Sequence, residues 1–174
     1  RLLKEGGRLI AEGLQSTRCL KKLQLRDNSY IESGSLFAEL IVKNPNLTHL
    51  IFQDAAMSSD DMKGIIQSLS NMYNLEELDV TGNSLEGDIL SDLMDTTKEM
   101  PNLKKVSMEA TEIESENGEN IVQALSSGFE KIEELNLNDN EITDEHAKAI
   151  VEILTEKENF KKITLERNDL TSKA

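Results

Sequence analysis

Apolar residues return along this chain in a fixed pattern, L-x-x-L-x-L-x-x-N-x-L, in copies that begin at Leu20, Leu47, Leu75, Leu103, Ile132 and Phe160. The steps between copies are 27, 28, 28, 29 and 28 residues. In each copy the fourth and sixth positions, such as Leu135 and Leu137, alternate with more polar residues, which predicts a short strand with one face turned inward. A turn follows. Its ninth position is Asn28, Asn83, Asn140 or Asn168, and a buried asparagine there can satisfy backbone groups that so short a strand leaves open. Ala55 and Thr111 hold that position in the second and fourth copies, so water or backbone must serve those two turns.

A second register lies between the strands. Apolar residues stand ten, nine and six positions before each next copy: Ile10, Ala11 and Leu14; Phe37, Ala38 and Ile41; Ile65, Ile66 and Leu69; Ile150, Val151 and Leu154. This spacing makes one face of a helix. The fourth helix substitutes Thr97 after Leu93 and Met94. The fifth is displaced by one residue to Ile121, Val122 and Leu125, which accounts for the 29-residue step. Ser58 with Asp61, and Thr143 with Asp144 and Glu145, have the chemistry of helix N-termini. Pro45 and Pro101 stand where a helix must stop before the next strand. A strand, turn and helix of this length are the unit of a leucine-rich repeat. The expected fold class is α/β, a leucine-rich repeat solenoid forming a horseshoe segment, with a parallel β-sheet on the concave face and helices on the convex face. Residues 1–174 read as a single such domain of about six repeats, starting near 20, 47, 75, 103, 132 and 160, with a partial leading repeat over 1–19. The chain is expected to be a piece of a longer protein.

Composition narrows the partner. Hydrophobic residues make up 37% of the chain and aromatic ones 3%, so the core is built from Leu, Ile, Val and Met. Thirty-three acidic against nineteen basic residues give a formal net charge of -14. That charge repels nucleic acid and anionic lipid and favours a protein with basic patches. No apolar run approaches the length of about 18 residues that spans a bilayer. Cys19 alone cannot form an internal bridge, and an intracellular location and a buried, inert thiol are expected.

Chemistry beyond binding has little local support. His49 and His146 fall at unrelated repeat positions with no ligand spacing around them, so no metal or other cofactor is expected. Glu114, Glu116 and Glu119, and the pair Asp60 and Asp61, read as helix starts on a solvated face. No phosphate-cradling or serine-nucleophile motif is present. The unfixed strand positions, which point out of the concave face, are the candidate binding set. From them Lys22, Arg26, His49, Gln53, Glu77, Asp79, Lys105, Glu109 and Glu134 are singled out, with a basic start giving way to acidic middle repeats.

The first copies carry more than the general pattern. Glu5-Gly6-Gly7, Ala11-Glu12-Gly13-Leu14, the string from Leu20 to Asn28, and Gly34 follow one another in a way that resembles the later repeats of Ran GTPase-activating proteins, and Asp54 and the stretch from Leu75 to Leu85 with Gly82-Asn83 continue it. Beyond about residue 90 the likeness is that of the ribonuclease-inhibitor class of repeat. The resemblance implies a cytoplasmic protein, at the nuclear envelope among other sites, that binds Ran in its GTP state and speeds hydrolysis without being the GTPase itself. The family's activating arginine lies in earlier repeats, and no match to its loop occurs here. By that resemblance these residues are the C-terminal repeats, inactive alone and monomeric within the parent protein. The alternative is a general binding array of the NOD-like receptor or tropomodulin kind. Exposed apolar groups near Leu2, Leu3 and Leu170 are expected to promote end-to-end pairing of the isolated chain.

Overall fold

The computed structural model describes residues 4–28 and 33–171. Six strands, β1 (Lys22–Arg26), β2 (His49–Gln53), β3 (Glu77–Asp79), β4 (Lys105–Ser107), β5 (Glu134–Asn136) and β6 (Lys162–Thr164), pair in sequence order, all parallel. Six α-helices alternate with them: α1 (Lys4–Leu14), α2 (Gly34–Val42), α3 (Ser59–Ser68), α4 (Asp88–Thr97), α5 (Gly118–Ser127) and α6 (Asp144–Thr155). The pairing puts equal template positions side by side, so that Lys22, His49, Glu77, Lys105, Glu134 and Lys162 form one row across the sheet.

One continuous apolar core runs between sheet and helices. Leu50, Leu78, Leu103, Ile132 and Leu137 are fully buried, as are the helix residues Phe37, Ile41, Ile65, Leu93 and Ile150. Phe37 meets Phe52 edge-on at 6.2 Å between ring centroids. Thr97 fills an apolar slot because its hydroxyl donates to Leu93 O at 2.7 Å. Ser58 and Asp61 close a reciprocal capping box on α3, and Thr143 accepts the His146 N–H on α6.

Several expectations need correction. Val151 is exposed because no helix among the described residues packs beyond α6. Cys19 is exposed as well: it occupies the loop position held elsewhere by Asn46, Asn74, Asn102, Lys131 and Asn159, which lies at the edge of the solenoid outside the core. Asp61 is no solvated carboxylate. It is 7% exposed and accepts the Gly34 N–H at 2.7 Å, where a Cβ on Gly34 would stand 2.5 Å from Asp61 Cα. Glu5-Gly6-Gly7, whose glycines suggest a tight turn into a helix, lies within α1 instead. Leu2 and Leu3 fall outside the described residues.

The turns show how the array manages without two of its asparagines. The eighth template residue is left-handed in every repeat: Asp27, Asp54, Gly82, Ala110, Asp139 and Arg167 have φ between 47° and 70°. In the repeats with Ala55 and Thr111 at the ninth position, the tenth residue is left-handed too, Ala56 at 48° and Glu112 at 60°. Ser84, Glu141 and Asp169, which follow an asparagine, are not. Thr111 keeps one asparagine contact, donating its hydroxyl to Met108 O at 2.8 Å, while its carbonyl accepts the Leu85 N–H at 2.9 Å. A second left-handed residue thus accompanies the loss of asparagine in both turns, and in the Thr111 turn backbone pairing takes over its acceptor role.

Candidate functional site

The concave surface is built by rows of side chains that parallel pairing stacks at the strand spacing of about 4.8 Å, close enough for charges at equal positions to meet. In the row of second positions, Lys104 Nζ lies 2.8 Å from Glu76 and Lys161 Nζ 2.6 Å from Glu133. In the next row Lys105 Nζ lies 2.6 Å from Glu134, and His49 Nε2 stands 3.5 Å from Glu77. Charge therefore alternates from strand to strand across β3–β6, where the sequence had suggested blocks of one sign. Hydrogen bonds from Lys104 and Lys161 hold the carboxyls of Glu76 and Glu133 below their ordinary value. The same contacts, with Glu134 beside Lys105, raise the ammonium groups of Lys104 and Lys105.

Toward the C-terminal ends of the strands the surface becomes a hydrogen-bonded lattice of neutral groups and carboxylates. Asn136 Nδ2 donates to Ser107 Oγ at 3.1 Å and to Glu109 Oε2 at 2.7 Å, and its oxygen accepts from Thr164 Oγ1 at 2.7 Å. Ser107 Oγ lies 2.8 Å from Thr81 Oγ1. Arg167 grips Asp139 through two guanidinium contacts and stands 3.6 Å from Glu109, which holds the Asp139 carboxyl below its ordinary value.

Above β3–β6 these rows enclose an open hollow of about 450 Å³. Five carboxylates line it, from Glu77, Asp79, Glu109, Glu134 and Glu166, against two lysines, Lys105 and Lys162. Glu134 engages Lys105, and Arg167 stands 3.6 Å from both Glu109 and Glu166, so the five carboxylates exceed the three cations beside them and the hollow is net negative. Of the nine candidate residues, Glu77, Asp79, Lys105, Glu109 and Glu134 come together there. Lys22 and Arg26 lie exposed on β1, and His49 and Gln53 half-buried on β2, to one side of it. Between them Ile51, on the same sheet face, is 1% exposed and stands apart from the continuous core, so it offers no binding surface. Arg167 and the second-position pairs escaped the sequence reading. The alternation of Glu76, Lys104, Glu133 and Lys161 at one template position was the signal that could have found the latter.

Among the described residues no group of three or more His, Cys, Asp or Glu side chains is arranged to hold a metal ion, and no helix is long and apolar enough to cross a membrane.

A parallel sheet in strict sequence order, one helix per strand and a repeated left-handed turn define a leucine-rich repeat solenoid. Family models described as Leucine Rich Repeat match residues 74–95 and 130–151. The chain is similar to Protein NLRC5 of Mus musculus, with 26% identity over 129 residues. The match covers 74% of this chain and spans 6% of that protein's length. Among solved structures, an internalin (inlF) from Listeria monocytogenes aligns over 91% of this chain and 45% of its own, with 15% identity and a TM-score of 0.48.

Proposed function

We propose that the chain is a protein-binding array whose partner presents basic groups to the hollow over β3–β6. The observation that carries this reading is the set of five carboxylates against two lysines on one face of the sheet, with Glu109 held by Asn136 Nδ2 at 2.7 Å. A preordered concave surface of this kind suits recognition, because little side-chain freedom is lost on docking. An arginine-rich peptide serves as the probe. Glu109→Gln with Glu166→Gln should weaken it about tenfold or more, corresponding to about 1.4 kcal/mol, and Glu152→Gln on exposed α6 should leave it unchanged. Equal binding by both variants would refute the placement.

The finer reading takes the partner to be Ran in its GTP state, on the likeness of Glu5-Gly6-Gly7 and the Leu20–Asn28 string to Ran GTPase-activating proteins. On that reading the chain acts as part of an activator in the cytoplasm, is no enzyme itself, and does not speed hydrolysis alone. Pull-down with GTP-loaded Ran, GDP-loaded Ran and actin monomers tests it: selective retention of the GTP form is the expected result, and retention of actin or of neither nucleotide form counts against it. The similarity to Protein NLRC5 favours a second reading, a general leucine-rich repeat binding module without a GTPase role.

A further inference from the structure

His49 opens β2, in the row of the sheet that continues through Glu77 into the hollow. The residue before it fixes which ring nitrogen carries a proton. Thr48 Oγ1 lies 2.9 Å from Lys21 O and 2.8 Å from His49 Nδ1. A carbonyl oxygen can only accept, so the one hydroxyl proton goes to Lys21 O, and the hydroxyl oxygen in turn accepts a proton from Nδ1. The other ring nitrogen, Nε2, stands 3.5 Å from Glu77 Oε2. In the neutral ring Nε2 is then a bare lone pair facing a carboxylate. Only the imidazolium, with a proton on each nitrogen, satisfies both neighbours at once.

The state of this ring decides what Glu77 offers the hollow. Of the five carboxylates there, Glu134 engages Lys105, Glu109 and Glu166 lie beside Arg167, and Asp79 Oδ1 accepts the Thr81 N–H. Among the described residues Glu77 has His49 as its one ion-pair partner. A charged His49 draws Glu77 toward β2, whereas the neutral ring repels it and leaves its charge to the hollow. The other charged groups around the ring are Lys21 and Lys22 at the start of β1, Glu76 and Asp79 on or beside β3, and Lys105 one strand further. The helices lie behind the opposite face of the sheet. Histidine changes charge within about pH 5–8, and the second of the two histidines, His146, sits away from the hollow at the start of α6.

We propose, on the reading of the hollow as a site for basic groups, that His49 gates it by protonation: the charged ring pairs with Glu77 and weakens the hold on a basic partner, and loss of the proton hands Glu77 to that partner. Binding therefore expels a proton, and affinity rises with pH. The probe is an arginine-rich peptide with blocked ends and no histidine or acidic residue, titrated by fluorescence anisotropy at about pH 7.0 and 5.5 and constant ionic strength, the lower value still above the ordinary carboxylate range. The unaltered chain should bind it about threefold or more weakly at the lower pH, the scale of one exposed ion pair. H49Q should bind equally at both, and E77Q should do so too while binding more weakly than the unaltered chain at the higher pH. H146Q should keep the full change. Far-UV circular dichroism checks each fold, and long-range proton–nitrogen spectra of the His49 ring give a readout free of variants and peptide, with Nδ1 protonated and Nε2 bare in the neutral ring. Binding without pH dependence, a change that survives in folded H49Q or E77Q or disappears in folded H146Q, or a neutral ring protonated at Nε2 would overturn the gate and leave the hollow a binding site. Failure of the peptide to bind at either pH would overturn that reading and the gate with it.

Discussion

The amide of Asn140 donates to Met108 O, Leu137 O and Asn138 O, while its oxygen accepts the N–H groups of Thr111 and Ile113, so one side chain serves two consecutive turns. Asn140→Ala leaves several of these buried groups unpaired and should cost about 2–4 kcal/mol in urea unfolding, since each orphaned buried group costs about 1–3 kcal/mol. Asn168→Ala, in the half-buried last turn, should cost less. A loss below about 0.5 kcal/mol at Asn140, the level of an ordinary surface change, would show that water replaces the amide. Glu112 gives the opposite case. It is exposed and left-handed, a conformation that costs an L-residue roughly 1–2 kcal/mol, of which glycine's extra unfolded-state freedom takes back about 0.5–1. Glu112→Gly should therefore raise stability by up to about 1 kcal/mol, and a lower urea midpoint would contradict the strain. The asparagines were legible from the sequence because they repeat. The left-handed eighth residue was half-legible: Asp27, Asp54, Gly82 and Asp139 are types that tolerate that conformation, whereas Ala110 and Arg167 disguise it.

Between elements, the strands and helices follow from spacing alone, because a period of two and a period near 3.6 bury different faces. How closely the helices approach does not. Gly118 opens α5 where a Cβ would fall inside contact distance of the His146 ring at the start of α6, and Gly34 stands in the same relation to Asp61. Gly118→Ala should lower the melting temperature, and His146→Ala in the same chain should recover most of that loss, since the obstacle is a side chain. At Gly34 the obstacle includes the Asp61 backbone, so truncating Asp61 should recover little. Rescue at Gly34 as complete as at Gly118 would mean that the helices shift freely. The sheet rows carry a pH signature. Glu76, Glu133 and Asp139 release protons more readily folded than unfolded, so the unfolded chain binds more protons and their contribution is lost as pH falls below the ordinary values of 4.5 and 3.8. Lys104 and Lys105 are raised, so theirs is present below 10.5 and lost as pH climbs through the folded values. Thermal unfolding should thus show losses at both extremes, and Lys104→Met should remove part of the alkaline one. An unchanged alkaline limb in that variant would show the pairs to be inert.

Across the whole molecule two electrostatic effects oppose each other. The paired rows attract, yet every ion pair in them is substantially exposed, and exposed pairs are worth about 0–1 kcal/mol each. The excess of thirty-three acidic over nineteen basic residues repels along the full length of the array, and a solenoid, whose repeats touch only their neighbours, has no distant contacts to offset that repulsion. Salt screens both, with a Debye length of about 10 Å at 0.1 M. The pairs at 2.6–2.8 Å lie well inside that length, whereas charges several repeats apart lie beyond it. Screening therefore removes repulsion first, and the melting temperature at neutral pH should rise as sodium chloride increases from low ionic strength to about 0.2 M. The same addition should weaken the arginine-rich probe in the concave hollow. Stability and binding should thus move in opposite directions with salt. A melting temperature that falls steadily over that range would mean that the ladder of pairs outweighs the net charge, and the acidic excess would then cease to explain either behaviour.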